Sequence, residues 1–310
     1  MGQGRGLSKE LEMKQTPLVS VVTLAYNHGK YIRQCLDGFV MQKTDFPFEV
    51  IIHDDASTDD TAEIIREYEL KYPDIIKPIY QTENQYSKNV PIGATYLYPK
   101  AKGKYIAECE GDDWWTDPYK LQKQVDFLES HPDYVLCSTC YTAFTMNDGS
   151  SRRVGKYDDG RDITLNDLMK KNQIGTLTVL YRRDVLDGYL RDLLPVMPKF
   201  KMGDIPFWIY LASKGKIHEL PYDTACYRIL QCSVSHSVDF ISSYDFLLDA
   251  SRLRLWLNSF LNLHYSSKIR WRVLVDTRNF CRRWSKTHDE SRLTLMKKAL
   301  KHLRKTGLRK

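Results

Sequence analysis

The sequence lacks several features that define other protein classes. No stretch approaches the ~18 consecutive apolar residues that a membrane-spanning helix needs, and the N-terminus carries no apolar core typical of a signal peptide. We therefore expect the chain to work on the cytoplasmic side. Its 42% hydrophobic and 27% charged residues are ordinary values for a globular protein.

Cysteine is scarce and odd in number. Seven cysteines among 310 residues predict free thiols in a reducing compartment rather than a disulfide framework. Cys137 and Cys140 have the spacing of a metal-binding pair, but they lie in a β-branched and aromatic stretch that predicts a strand. Side chains three residues apart in a strand point to opposite faces, so we expect no zinc site there.

The chain is long enough for more than one part. We predict a mobile N-terminal tail at 1–16, a catalytic domain at 17–240 and a basic, amphipathic helical extension at 241–310. From Ser266 to Lys310 there are 15 Lys or Arg against three acids, a net charge of +12. Because the whole chain is +7, the remaining residues sum to −5. The basic character is therefore a property of the C-terminal extension.

Apolar stretches that end in polar residues recur along the first half of the chain. Leu18 to Asn27 and Phe48 to Asp54 each predict a buried strand followed by a helix. Two such units in a row predict a parallel sheet with right-handed crossovers. We also predict strands at 75–80, 104–109 and 134–144, helices at 60–71, 89–100 and 118–130, and an exposed loop at 147–162.

Three carboxylates lie within four residues, at Glu110, Asp112 and Asp113, directly after a predicted strand. Ligands of open α/β sheets bind at this end of the strands. Such a cluster repels itself unless a hard cation such as Mg²⁺ or Mn²⁺ lies among its oxygens. A metal site beside a phosphate-bearing substrate is one interpretation, and an acidic turn that simply ends a strand is the other.

Four motifs in order resemble one family. Val-Ser-Val-Val-x-x-x-Tyr-Asn at 19–27, Asp-Asp-Ala-Ser-Thr-Asp at 54–59, Gly-Lys-Tyr-Ile leading into Glu-x-Asp-Asp at 103–113 and Met-Gly-Asp at 202–204 together resemble the family 2 glycosyltransferases. The resemblance covers roughly residues 17–240. It implies an α/β fold of GT-A type, with a Rossmann-like mixed, mainly parallel sheet flanked by helices, and here a C-terminal helical extension.

The resemblance also implies site residues. Asp112 aligns with the metal-holding aspartate, with Asp113 beside it, and Glu110 stands where an aspartate is common, so it binds the metal through water or holds the donor sugar. Asp55 is expected to accept a hydrogen bond from the uracil N3–H, with Tyr26 lying against the base. The alternatives are a core position for Tyr26 and, for Asp54, the residue before Asp55, a helix cap.

Asp204 is the candidate catalytic base, by the same resemblance. The attacking hydroxyl must lose its proton as the new bond forms, and a carboxylate opposite the metal can take it; an N-cap at a helix start is the alternative. Direct displacement would invert the anomeric centre. Arg228 is a candidate for neutralising diphosphate charge and His236 for the metal or phosphate shell, although a surface Arg and a lone His are commoner readings.

These patterns predict an inverting, metal-dependent glycosyltransferase. We expect a nucleotide-sugar donor that is UDP-linked, a glycan or lipid-linked glycan acceptor, and a role in surface polysaccharide synthesis at the inner membrane face. Two alternatives stay open: a nucleotide-sugar-binding subunit without turnover, and a sugar-phosphate nucleotidyltransferase. The latter ordinarily needs a glycine-rich phosphate loop, of which Tyr26 to Lys30 is a poor version.

The basic C-terminal extension suggests a surface for an anionic membrane. Trp271 and Trp284 lie among arginines, and basic helices with tryptophan suit such a surface. A solvated helical pair that packs on the catalytic domain is the alternative. We expect no nucleic-acid partner, because the catalytic part is acidic and no nucleic-acid-binding motif is visible.

Overall fold

The protein is a mixed α/β structure in a computed structural model that describes residues 16–200, 203–230 and 240–287. Within these residues the strands are β1 (Val19–Ala25), β2 (Phe48–Asp54), β3 (Ile76–Tyr80), β4 (Tyr105–Glu108), β5 (Trp114–Trp115), β6 (Tyr134–Thr145), β7 (Ser151–Val154), β8 (Arg161–Asp162), β9 (Leu180–Arg182) and β10 (Lys216–Ile229). The α-helices are α1 (Ile32–Val40), α2 (Thr61–Lys71), α3 (Lys120–Ser130), α4 (Leu165–Lys170), α5 (Arg183–Asp192), α6 (Asp204–Lys214), α7 (Phe240–Phe260) and α8 (Ser266–Thr287).

The strands form one sheet in the order β3-β2-β1-β4-β9-β6-β10-β5, with β7 paired to β6 and β8 to β10. The four strands from β3 to β4 are parallel. Antiparallel pairs between β4 and β9, β9 and β6, and β10 and β5 complete the sheet. The mixed sheet, its flanking helices and the helices α7 and α8 confirm the predicted architecture.

Helix α1 shows how the apolar pattern builds the core. Ile32, Leu36 and Phe39 recur at helical spacing, and each is fully buried. The Phe39 ring meets the Trp115 ring edge to face, with 4.8 Å between the centroids. Because β5 follows the acidic cluster directly, this packing fixes the chain on one side of the cluster.

Two predicted segments differ from the structure. The predicted helix at 89–100 is wrong: a π-helical turn at Gly93–Leu97 and a 3₁₀ turn at Tyr98–Lys100 occupy it. Pro91 and Pro99 lack the N–H that a regular α-helix needs, and Gly93 weakens it further. The predicted loop at 147–162 contains β7 and β8. Strand β7 is exposed and polar, so it carried no apolar pattern, although Asp148-Gly149 is a typical hairpin turn signal.

By its internal contacts the chain divides into two compact units. The first unit takes in the chain up to Asp162, together with Ile174–Pro195 and Lys214–Arg228. The second contains Ile163–Gln173, Val196–Ser213 and the chain from Ile229 onward. Within the predicted catalytic range 17–240, the described residues at 163–173, 196–213 and 229–230 lie in this second unit. The predicted domain bounds stay a prediction.

The second unit is helical. Leu253 and Leu257 of α7 and Ile269 and Val273 of α8 are buried, and α7 and α8 pack against each other. The side chain of Asn258 bridges the turn between them, since it donates to Ser266 Oγ at 2.8 Å and accepts from the backbone N–H of Tyr265 at 2.7 Å. No helix in the described part of the chain is long and apolar enough to cross a membrane.

Candidate active site

The predicted donor site lies at the carboxyl ends of the parallel strands in the first unit. Ala25, the last residue of β1, pairs in register with Asp54, the last residue of β2. The residues that follow, Tyr26 and Asp55, therefore emerge at the same edge of the sheet. The Tyr26 side chain is 44% exposed, so the core position considered for it does not hold and its ring is open to a ligand.

The loops after β1 and β2 are tied together by hydrogen bonds. The backbone N–H of Asn27 donates to Ser57 Oγ at 2.9 Å, and the N–H of Thr58 donates to Asn27 Oδ1 at 2.8 Å. The N–H of Gly29 donates to Asp59 Oδ2 at 2.9 Å. Asn27 and Ala56 adopt left-handed backbone conformations, with φ of 54° and 61°, which non-glycine residues adopt only when their surroundings hold them there. The two loops form one constrained edge.

Asp55 is buried and organises the segment after β3. Its two carboxylate oxygens accept the backbone N–H groups of Gln85 at 2.8 Å and Tyr86 at 3.0 Å. The Asn84 side chain donates to the Asp55 carbonyl at 3.3 Å. Each carboxylate oxygen has a further lone pair, so Asp55 can still accept a hydrogen bond from an N–H group of a nucleobase. Its role in base recognition stays a prediction.

The three predicted metal-site carboxylates are brought together. One ligand oxygen from each of Glu110, Asp112 and Asp113 lies within 4.8 Å of the other two. Glu110 is exposed, Asp112 is partly buried and Asp113 is 3% exposed. Burial raises the pKa of Asp113 well above its usual value, and the neighbouring charge of Asp112 raises it further. Anions held this close favour a cation among them.

An unsatisfied oxygen supports the fit of a hard cation. Asp112 Oδ1 is buried and has no hydrogen-bond partner, and a buried polar atom without a partner costs free energy. A divalent ion would satisfy it, because carboxylate oxygens are the ligands that Mg²⁺ and Mn²⁺ prefer. One oxygen of Asp113 accepts the backbone N–H of Arg228 at 2.7 Å, so an ion would bind through its other oxygen. The residues present therefore fit the predicted metal.

Arg228 is held beneath the acidic loop. The side chain is 5% exposed, and its guanidinium lies 4.2 Å from the centroid of the Trp114 ring and 4.7 Å from that of Tyr31. It donates to the backbone carbonyl of Asp112 and to Gln34 Oε1, the latter at 2.6 Å. These contacts tie the end of β10 to the acidic cluster, so Arg228 supports the cluster in addition to its predicted action on the diphosphate.

The adjacent residues Trp114 and Trp115 lie in different surroundings. Trp115 is buried, and its indole N–H donates to the Leu177 carbonyl at 2.8 Å. Trp114 is only partly buried and faces the Arg228 guanidinium. Trp115 is therefore a core residue, whereas Trp114 packs against Arg228 beside the acidic cluster.

His28 is a site residue that the sequence analysis missed. Its Nδ1 atom is buried and has no hydrogen-bond partner. A Cβ atom on Gly111 would lie 2.8 Å from that nitrogen, so the glycine allows the imidazole to approach the acidic loop. Burial lowers the pKa of His28, whereas the Asp112 charge acts in the opposite direction. In the sequence, its position two residues after Tyr26 was the signal that could have marked His28 as a site residue.

Asp204 lies in the second unit, as the first residue of α6. Its Oδ2 accepts the Asn172 amide at 2.8 Å, and its Oδ1 accepts the backbone N–H of Ile205 at 2.8 Å. Burial raises the pKa of Asp204, which suits a general base, while these hydrogen bonds act in the opposite direction. Asn172 was also missed, because it lies in a segment without a motif. His236 lies outside the described residues.

A family comparison decides the class of this site. The model of glycosyl transferase family 2 matches residues 20–190, more than half of the chain. The chain belongs to this family. The resemblance read from the motifs is thereby confirmed, and with it the prediction that the chain is a member of a glycosyltransferase family. Asp204, Arg228 and His236 lie beyond the matched residues.

Two relatives illustrate the family membership. The uncharacterized protein Rv1520 of Mycobacterium tuberculosis (strain H37Rv) is 36% identical over 222 residues, which are 71% of this chain and 61% of that protein. The chain therefore spans less than two thirds of that relative. WfaP of Escherichia coli, named a UDP-Glc:alpha-D-GlcNAc-diphosphoundecaprenol beta-1,3-glucosyltransferase, is 29% identical over 221 residues, which are 70% of this chain and 80% of WfaP.

The fold of this family 2 glycosyltransferase also matches a solved structure. Residues 1–349 of Staphylococcus aureus TarS, crystallised with UDP-GlcNAc, superpose with a TM-score of 0.59 at 18% identity. The match covers 86% of this chain and 72% of the TarS chain. At this identity the likeness shows the fold alone, and it confirms the predicted GT-A fold.

Proposed function

We propose that the protein transfers a hexose from a UDP-sugar to a hydroxyl of a lipid-linked glycan, with inversion at the anomeric carbon. The observation that carries this proposal is the carboxylate cluster of Glu110, Asp112 and Asp113, with one buried and unpaired oxygen, at the strand ends where ligands of α/β sheets bind. The UDP in the TarS structure and the diphosphoundecaprenol acceptor in the name of WfaP support the donor and acceptor classes.

Mg²⁺ or Mn²⁺ is the proposed cofactor. Asp112, Asp113 through its second oxygen, and Glu110 directly or through water would hold it, and His236 is proposed for the same shell. When bound there, the ion would offset the negative charge that develops on the departing diphosphate. Arg228 holds the Asp112 carbonyl and the Asp113 carboxylate in place, so the ligand oxygens are preorganised.

The other proposed roles follow from the chemistry of each side chain. The exposed Tyr26 ring lies against the base, and the Asp55 carboxylate accepts a hydrogen bond from the imide N–H of the base. Asp204 takes the proton of the acceptor hydroxyl as its oxygen attacks the anomeric carbon, and the bond from that carbon to the diphosphate breaks. We place the reaction at the inner face of the membrane, where a lipid-linked acceptor is available.

Release of UDP from a panel of UDP-sugars tests this proposal, with Mn²⁺ or Mg²⁺ and a lipid-linked acceptor. We expect Asp112→Asn to reduce turnover by about two orders of magnitude or more, because charge stabilisation at the leaving group is worth several kcal/mol. Asp204→Asn should abolish turnover and leave UDP-sugar binding intact. Asp74→Asn, which removes an exposed carboxylate of the first unit, serves as the matched control.

Mn²⁺ binding measured by electron paramagnetic resonance separates the metal site from the chemistry. Asp112→Asn should weaken it, whereas Asp204→Asn and Asp74→Asn should not. Full turnover in Asp204→Asn would refute the base assignment. Binding of UDP-sugar without turnover of any nucleotide sugar would favour the binding-subunit alternative.

A further inference from the structure

Helix α8 presents an unusual outward face. Its inward face is formed by Ile269, Val273 and Thr277, which are buried and recur at four-residue intervals. On the opposite side Trp271 is 69% exposed and Leu274 is 49% exposed. Large apolar side chains left in water beside one another on a helix mark an interaction surface more often than chance.

The same outward face is cationic. Lys268, Arg270 and Arg278 are exposed and lie within about two helical turns of Trp271. No exposed position in the described part of α8 carries a carboxylate. Its one acid, Asp276, is paired with Arg272 at 2.9 Å. The face, defined here as Lys268, Arg270, Trp271, Leu274 and Arg278, therefore combines positive charge with an apolar centre.

We propose that this face docks on an anionic lipid bilayer. The boundary of a bilayer receives both kinds of group at once: lipid phosphates attract the cations, and the Trp271 ring and the Leu274 side chain enter the headgroup region. A polyanion such as RNA would match the cations but offers nothing to Leu274. The inference extends the proposed function, since a lipid-linked acceptor lies in the same surface, but the surface can be tested without turnover.

The geometry favours docking that is reversible. Because the inward face of α8 is used in packing within the second unit, the helix can bury only its outward side chains. Lys268, Arg270 and Arg278 are spread over about 15 Å of the helix axis, so all three can reach lipid phosphates when α8 lies flat on the bilayer. We expect binding that depends on anionic lipid and weakens with salt, since charges beyond a Debye length of about 10 Å at 0.1 M salt are screened.

Co-sedimentation of the full chain with vesicles tests the proposal. Vesicles of phosphatidylcholine with about 30% phosphatidylglycerol should bind the protein, and pure phosphatidylcholine should not. The variant Lys268→Gln, Arg270→Gln, Arg278→Gln should bind at least tenfold more weakly, since each cation near such a surface contributes about fivefold. The variant Trp271→Ala, Leu274→Ala should lose several-fold at unchanged charge.

A charge-matched control distinguishes the helix face from overall basicity. Lys71, Lys100 and Lys102 are exposed on the first unit, and changing all three to Gln lowers the net charge by the same amount. This control should bind like the unchanged protein, and thermal unfolding should show that all variants stay folded.

Equal loss of binding in both triple variants, or none in either, would overturn the proposal. So would binding of an RNA duplex with no binding to anionic vesicles. None of these outcomes depends on sugar transfer, so a failure of the proposed function and a failure of this docking surface are separately visible.

Discussion

The hydrogen bond from Asn172 to Asp204 is one of the contacts that lower the pKa of the proposed base. A base must be unprotonated, so turnover should rise with pH as Asp204 loses its proton. Burial raises the pKa of Asp204 and the Asn172 amide lowers it. Asn172→Ala removes one of the lowering contributions and leaves burial unopposed by it, so the acidic limb of the pH profile of kcat should move to higher pH. Steady-state kinetics at saturating metal ion measure it.

Asn166→Ala is the matched control for that experiment. Asn166 lies in the same unit, and its side chain accepts a hydrogen bond from Lys268 at 3.2 Å. The acidic limb should stay in place in this variant. An acidic limb that does not move in Asn172→Ala, with kcat reduced, would mean that a group other than Asp204 titrates.

Residues of the site differ in how far the sequence could predict them. Glu110, Asp112 and Asp113 were predictable because neighbours in sequence form the cluster, so their repulsion is visible in the sequence itself. Gln34 and Arg228 are 194 residues apart, and nothing in the local pattern of either predicts the other. His28 and Asn172 were missed for the same reason: their importance comes from burial and from distant partners.

At the scale of elements, the junction between β10 and the acidic loop depends on the guanidinium group of Arg228, which makes two hydrogen bonds at once. Arg228→Lys keeps the positive charge but cannot reach the Asp112 carbonyl and Gln34 Oε1 together. The ligand oxygens should then be less well ordered. We therefore expect the affinity for Mn²⁺ to fall by about tenfold to a hundredfold. Electron paramagnetic resonance with Mn²⁺ alone measures this effect.

The control for Arg228→Lys is Arg33→Lys on α1. Arg33 pairs with Glu67 at 2.7 Å, and both side chains are more than half exposed, so little should change. If Arg228→Lys leaves Mn²⁺ affinity intact but weakens UDP-sugar binding, Arg228 contacts the donor directly, as the sequence predicted, and does not act through the cluster.

Elements with a strong apolar pattern were predictable, and those set by backbone chemistry or edge position were not. Strands β1 and β2 are buried on both faces, and their sequences are mostly apolar. The segment at 89–100 has apolar residues at helical spacing, but its prolines override that pattern. Strand β7 pairs at the edge of the sheet with its polar side chains exposed, so its formation depends on the partner strand β6.

At the scale of the whole molecule, the stability of the fold is coupled to pH through a buried amine. Lys120 is fully buried at the start of α3, 4.3 Å from the centroid of the Trp115 ring, and its Nζ donates to Gln124 Oε1 at 2.6 Å. Burial lowers the pKa of Lys120 to about 7. The proposed chemistry does not use this group, so its effect should appear in unfolding and not in catalysis.

The sign of this coupling follows from the number of protons bound. Between pH 7 and about 10 the unfolded chain holds a proton on Lys120 that the folded chain has largely lost, so raising the pH favours folding. Lys120→Met removes the titrating group and conserves volume. From pH 7 to pH 9 the free energy of unfolding of the unchanged protein should therefore rise relative to that of the variant by about 2 kcal/mol.

Denaturant unfolding of both proteins at the two pH values measures this difference. The loss of a donor to Gln124 lowers the stability of Lys120→Met equally at both pH values, so it cancels in the comparison. Lys104→Met, which changes a half-exposed lysine paired with Glu129, should show no such pH dependence. Parallel pH profiles for Lys120→Met and the unchanged protein would mean that Lys120 keeps its proton in the folded state, and that the core beneath the acidic cluster holds a charged ammonium group at neutral pH.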